Sequence, residues 1–140
     1  MSIQFQLLPL FVQVALTFAV LLTLAARRYG AVRGGEVRGS VTLRERSWPP
    51  YAQQAEFNYQ NQFELPILFY VLTVLAIITS HADLLFVLLA WVFVVLRVLH
   101  AVVHLTNNNI SYRGPLFIVG AIVLMIMWAI FAIRILLGLP

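Results

Sequence analysis

Arg97, His100 and His104 stand at i, i+3 and i+7 in "WVFVVLRVLHAVVHLTNNN", and Asn108 follows at i+11. At ~100° per residue the four fall within about 80° of one another on a helix, a narrow polar stripe on an apolar segment. That combination suits a charged, polar ligand: guanidinium groups fork onto carboxylates, and imidazoles and amides add directional hydrogen bonds. A second stripe, Phe57, Asn61, Glu64 and Leu68, runs along "AEFNYQNQFELPILF". Glu64 and Arg97 are expected at the same depth, facing each other. An ionised side chain within a membrane span costs ~2.5–3.5 kcal/mol on insertion scales, so each should face the bundle interior and find a partner. A packing clip would explain those two residues alone. Arg27, Arg28, Arg113, two histidines and several amides exceed what one ion pair needs, and their charge favours an anion.

The spacing His100-x-x-x-His104 also fits a metal pair, with Glu64 as a third ligand. No glutamate lies between the histidines, so the zinc-protease motif is absent, and no metal is expected. His81 reads as a hairpin residue, and "NNN" at 107–109 as a helix end and turn.

Behind these residues must stand elements that hold them in a membrane. Of 140 residues, 62% are hydrophobic and 10% charged, and the mean hydropathy is +0.94. Soluble domains sit nearer half apolar and a quarter charged. The chain is therefore expected to be an all-α, integral membrane four-helix bundle, a single domain over 1–140. The spans are 3–26, 63–80, 84–106 and 115–138, each near the ~20 residues that cross a hydrocarbon core. Residues 1–26 lack a basic start and a small-residue cleavage site, so they read as a retained helix. With no cysteine, disulfides and thiol catalysis by the protein itself are excluded.

The connection over about 27–50 holds Arg27, Arg28, Arg33, Arg38, Arg44 and Arg46 against Glu36 and Glu45. Helix two is expected to begin near Tyr51, outside the apolar slab, and to kink at Pro66, freeing a carbonyl near Gln62. "SHAD" allows only a tight hairpin. The first and third connections share a side and carry seven of the nine arginines. The positive-inside rule then places 27–62 and 107–114 in the cytoplasm and both termini opposite. Arg134, near the far end of helix four, reads as a snorkelling residue. Nucleic acid is not an expected partner, because the arginines sit in short connections and helix ends.

On "NQFELP", on "RVLHAVVH" followed by Arg113, and on the Arg27–Arg28 pair ending helix one, the chain resembles the MAPEG family (membrane-associated proteins in eicosanoid and glutathione metabolism). It looks like a bacterial-type member similar to the microsomal glutathione transferases, and the likeness covers almost the whole chain. The resemblance implies a homotrimer in membrane lipid, with glutathione as co-substrate bound between neighbouring subunits near the cytoplasmic face. Asn61 and Glu64 would hold glutathione's polar backbone and amino end, and Arg97 would support the site. His100 and His104 would stand beside it, Arg27 and Arg28 would add basic contacts, and Arg113 would be the catalytic residue nearest the sulfur. A guanidinium there favours thiolate, the attacking form. The activity implied is glutathione transferase or peroxidase chemistry on a hydrophobic small molecule or lipid peroxide admitted from the bilayer.

The sequence departs from the family pattern at four positions. Phe57 and Gln60 stand where members that use glutathione carry arginine, His104 replaces a tyrosine, and Gly114 replaces a serine. The competing reading is a non-catalytic membrane ligand-binding or regulatory protein of the same fold that has lost glutathione binding. A small four-helix exporter fits the size alone, but residues 3–26 lack the carboxylate such exporters place in helix one.

Overall fold

The computed structural model describes residues 1–37, 48–107 and 110–140. Its five helices are α1 (Ile3–Arg33), α2 (Pro50–Asn61), α3 (Leu65–Ile78), α4 (Leu84–Leu105) and α5 (Ile110–Leu136). The α2–α3 pair acts as one interrupted span. Among the described residues, four helical stretches are thus long and apolar enough to cross a membrane: Ile3–Arg33, Pro50–Ile78, Leu84–Leu105 and Ser111–Leu136.

The boundaries depart from expectation in three places, each with a local cause. Helix α1 continues through the arginines to Arg33 and stops at a glycine pair. Gly35 has φ +69, its N–H donates to Val32 O at 3.2 Å, and Glu36 N–H reaches back to Ala31 O at 2.9 Å. These two bonds make a Schellman stop, which needs a residue free to adopt the left-handed conformation. The connection after α1 is correspondingly shorter than 27–50.

Helix two does not merely kink. Pro66 has no N–H for the Gln62 carbonyl, and the residue before a proline resists helical geometry. The helix ends at Asn61 and restarts at Leu65. Across the gap the N–H groups of Gln62, Phe63 and Glu64 turn to the carbonyls three residues back, at 3.1, 3.0 and 3.3 Å. Helix α5 starts five residues before the expected Pro115, which brings Arg113 onto the helix.

The core lies between α3, α4 and α5, where Phe69, Leu72, Phe86, Phe93, Leu124 and Met127 are buried. The Phe69 and Phe93 rings stack with centroids 5.0 Å apart. Ala76 and Ala90 are also fully buried, and small side chains let neighbouring backbones approach closely. The other helix faces expose apolar side chains, as a lipid-facing surface does.

At the hairpin end, Asp83 caps α4 by accepting from Phe86 N–H at 3.1 Å. The Arg134 guanidinium pairs with the same carboxylate and also donates to His81 O at 3.4 Å. Arg134 is therefore a partner in an ion pair, not simply a snorkelling side chain. His81 is more than a turn residue: its ring contacts Thr79 Oγ1 at 3.0 Å and Leu139 O at 2.9 Å.

Candidate functional site

The opposite, loop end is organised by an antiparallel zipper between α2 and α4. Gln54 donates to His104 O, Asn58 Nδ2 to Ala101 O at 3.0 Å, and Arg97 Nη2 to Asn61 O at 3.2 Å. The rungs alternate one turn apart because 54, 58 and 61 share a face of α2, and 97, 101 and 104 share a face of α4. Arg27 extends the zipper, donating to Tyr51 O at 3.0 Å and to Leu105 O at 2.9 Å. The last four carbonyls of a helix lack intrahelical donors, and these side chains supply donors for two of them, on His104 and Leu105.

Beside the zipper opens a cleft of about 380 Å³ lined by Phe57, Asn61, His100, His104, Arg113, Gly114 and Phe117. Helix α2 contributes Phe57 and Asn61, α4 the histidines, and the start of α5 the rest. The His100 ring lies 5.9 Å from that of His104 and 5.8 Å from that of Phe117, centroid to centroid. Arg97 is 1% exposed and lies beneath this wall, its Cζ 6.0 Å from the Phe117 centroid.

Arg97 Nε and Nη1, His100 Nδ1 and His104 Nδ1 are buried with no hydrogen-bond partner. Buried polar groups are nearly always paired, and a cluster without partners marks capacity for a ligand or water. A guanidinium so placed is costly to bury and supplies donors in a fixed planar fork.

The structure thus gathers Asn61, His100, His104 and Arg113 in one cleft, with Arg97 behind them. It does not bring in the remaining expected residues. Glu64 is exposed on the outer surface, and no ion pair joins it to Arg97 among the described residues, where the pairs are Arg28–Glu56 and Arg134–Asp83. Glu64 sits in the helix break with φ −100 and ψ −102, where it makes no ion pair with Arg97 but stays near enough to act on it electrostatically. Arg27 is occupied by the backbone clamp. Arg28 pairs with Glu56 at 3.1 Å, and its Cζ lies over the Trp48 ring, 5.0 Å from the centroid. Neither lines the cleft. Asn108, the last member of the α4 stripe, and Arg38, Arg44 and Arg46 lie outside the described residues. Among the described residues no three His, Asp or Glu side chains converge, so the histidine pair lacks the third ligand that Glu64 was to supply.

Sequence reasoning missed Phe117, which falls one turn after Arg113 and so shares its face. It also missed Gln54 and Asn58 as α4-facing residues, although their i, i+4 spacing leading to Asn61 was visible.

The cleft has the size and the polar lining to hold a small polar molecule. Its volume lies within the range of small-molecule sites, Arg113 supplies a cation at the mouth, and Asn61 and the histidines offer hydrogen bonds. Compared with known families, residues 6–133 match the model of the MAPEG family. No curated protein and no solved structure matches the chain.

Proposed function

The chain belongs to the MAPEG family, and from that premise we propose that its cleft binds glutathione and activates the thiol for attack on a hydrophobic electrophile or lipid peroxide. The observation that carries this reading is the convergence of Asn61, His100, His104 and Arg113 in one cleft over a buried Arg97 with two unpaired donors. Arg113 stabilises the negative charge that develops on sulfur, raising the thiolate fraction at neutral pH. Asn61 orients the tripeptide by its amide, and the imidazoles of His100 and His104 close the wall beside it. Arg97 holds the Asn61 carbonyl and so fixes the side chain that faces the ligand. In conjugation to an aryl halide, the carbon–sulfur bond forms as halide leaves, and the thiol proton passes to water.

The loop end then faces the cytoplasm, where glutathione is supplied, and both termini lie opposite. The chain works as a homotrimer. An exposed carboxylate within a span cannot face lipid cheaply, so the outward Glu64 supports contact with a neighbouring copy, where it reaches a shared ligand. Purified protein in detergent is expected to conjugate a model aryl halide with glutathione. Absence of both turnover and glutathione binding at millimolar concentrations would refute the proposal.

One observation favours a second reading, a non-catalytic ligand-binding or regulatory protein. Phe57, 53% exposed, lines the cleft with an apolar side chain where an arginine would add a cation. Absence of both glutathione binding and turnover, not restored by Phe57→Arg, is the outcome that supports it.

A further inference from the structure

Three buried amides take no part in the chemistry above. Gln13 in α1 is 0% exposed, Gln62 in the helix break 1%, and Asn58 in α2 0%. They form a relay in which each amide nitrogen donates to the next acceptor. Gln13 Nε2 donates to Gln62 Oε1 at 2.9 Å. Gln62 Nε2 donates to Asn58 Oδ1 at 3.1 Å and to Asn58 O at 3.3 Å. Asn58 Nδ2 in turn donates to Ala101 O at 3.0 Å.

The ends of this relay matter more than its length. One end is anchored on α1, away from the cleft. The other reaches the α4 backbone at Ala101, next to His100 and within a turn of His104. Its middle member is Gln62, the first residue of the gap that Pro66 opens, immediately after Asn61. A break in a spanning helix leaves backbone that must be held by something other than helical hydrogen bonds. Polar side chains between membrane helices commonly act as general glue, but glue needs no particular placement. Here all three contacts fall on the segment that carries cleft residues, and an amide chain of one polarity couples its members.

We infer that Gln13 and Gln62 are positioning residues, which brace the 62–64 break that Pro66 opens and, through it, hold Asn61 against the α4 turn of His100 and His104. The effect on catalysis rests on the thiol reading, but the hold on the break does not. The intact protein in detergent is therefore tested in two arms, comparing wild type with Gln13→Leu and with Gln13→Leu/Gln62→Leu.

In the first arm, hydrogen exchange of the Gln62, Phe63 and Glu64 amides is followed without ligand. Loss of the relay is expected to speed it about tenfold, since exchange reports local opening. In the second arm, the KM for glutathione is expected to rise about tenfold while kcat stays within about twofold, because ligand placement is lost and the sulfur chemistry is kept. The double variant removes the Gln13–Gln62 pair together but leaves the buried Asn58 Oδ1 without its donor, so its melting midpoint should stay below wild type and its KM should stay raised. Unchanged exchange in Gln13→Leu overturns the inference whether or not the protein turns over a thiol. A KM that recovers together with the midpoint overturns it too, since that pattern marks a purely structural contact. A wild type inert toward glutathione removes the thiol reading, and faster exchange then still supports the relay's hold on the break.

Discussion

The two ends of the bundle each carry arginine and histidine, and they use them in opposite ways. At the hairpin end Arg134, Asp83 and His81 bond one another and nearby backbone. The space beside them is about 10 Å³, room for no more than one water. At the loop end Arg97, His100 and His104 keep four buried nitrogens without partners, beside a cleft of about 380 Å³. The same residue types are saturated in one place and left open in the other. Polar groups within a spanning bundle therefore do not mark a site by their presence. The site is marked where their hydrogen-bonding capacity exceeds what the fold consumes.

The sharpest way to break this contrast is at Arg113. Arg113→Ala is expected to lower kcat/KM for aryl halide conjugation about 100-fold, the usual loss when a donor to developing negative charge is removed. Arg134→Met should leave that rate within about twofold. Equal losses would mean that both arginines serve the fold alone. Next in size, Phe57→Arg adds a second cation to the cleft wall and should tighten glutathione binding about tenfold, as one charge-assisted hydrogen bond does. A titration that does not move would remove Phe57 as the limit on thiol affinity.

Stability offers a comparison of opposite sign. Arg97 is a buried cation with unpaired donors, so Arg97→Met should leave the ligand-free melting midpoint unchanged or higher. Arg134→Met breaks an ion pair and should lower the midpoint by about 2–4 °C. Two midpoints falling together would contradict the claim that only the hairpin end is self-satisfied.

The four spans, their hairpin and the α4 stripe were legible because each depends on composition or on helical period. Arg97, His100 and His104 share a face through a continuous helix, and any continuous helix preserves that relation. The expected Glu64–Arg97 ion pair does not form for the complementary reason. That pairing assumed that α2 runs unbroken into α3, whereas the missing Pro66 N–H ends the helix at Asn61 and resets the register. Arg27 and Arg28 illustrate a different limit. Sequence shows that a basic pair ends an apolar segment, but not that Tyr51 O, Leu105 O and Glu56 will occupy it, since those partners come from distant parts of the chain. Phe117 stayed hidden because one more phenylalanine in an apolar helix carries no signal of its own.

The smallest expected effect is on acid stability at the hairpin. The hydrogen bond from Arg134 is the main cause holding the Asp83 carboxyl below the usual carboxylate range. A depressed folded-state value means the stabilisation is present above the unfolded value, about 3.9, and is lost as pH falls through the folded one. The midpoint difference between wild type and Asp83→Asn should therefore be constant above about pH 5 and shrink below about pH 4. A difference that persists into strong acid would show that the ion pair does not set it.

The account stands most directly on calorimetric titration of glutathione into the detergent-solubilised wild type, with Arg113→Ala and Arg134→Met in parallel. It predicts saturable binding to wild type and to Arg134→Met, and loss of that binding in Arg113→Ala. No saturable heat in wild type, or three indistinguishable titrations, would contradict it.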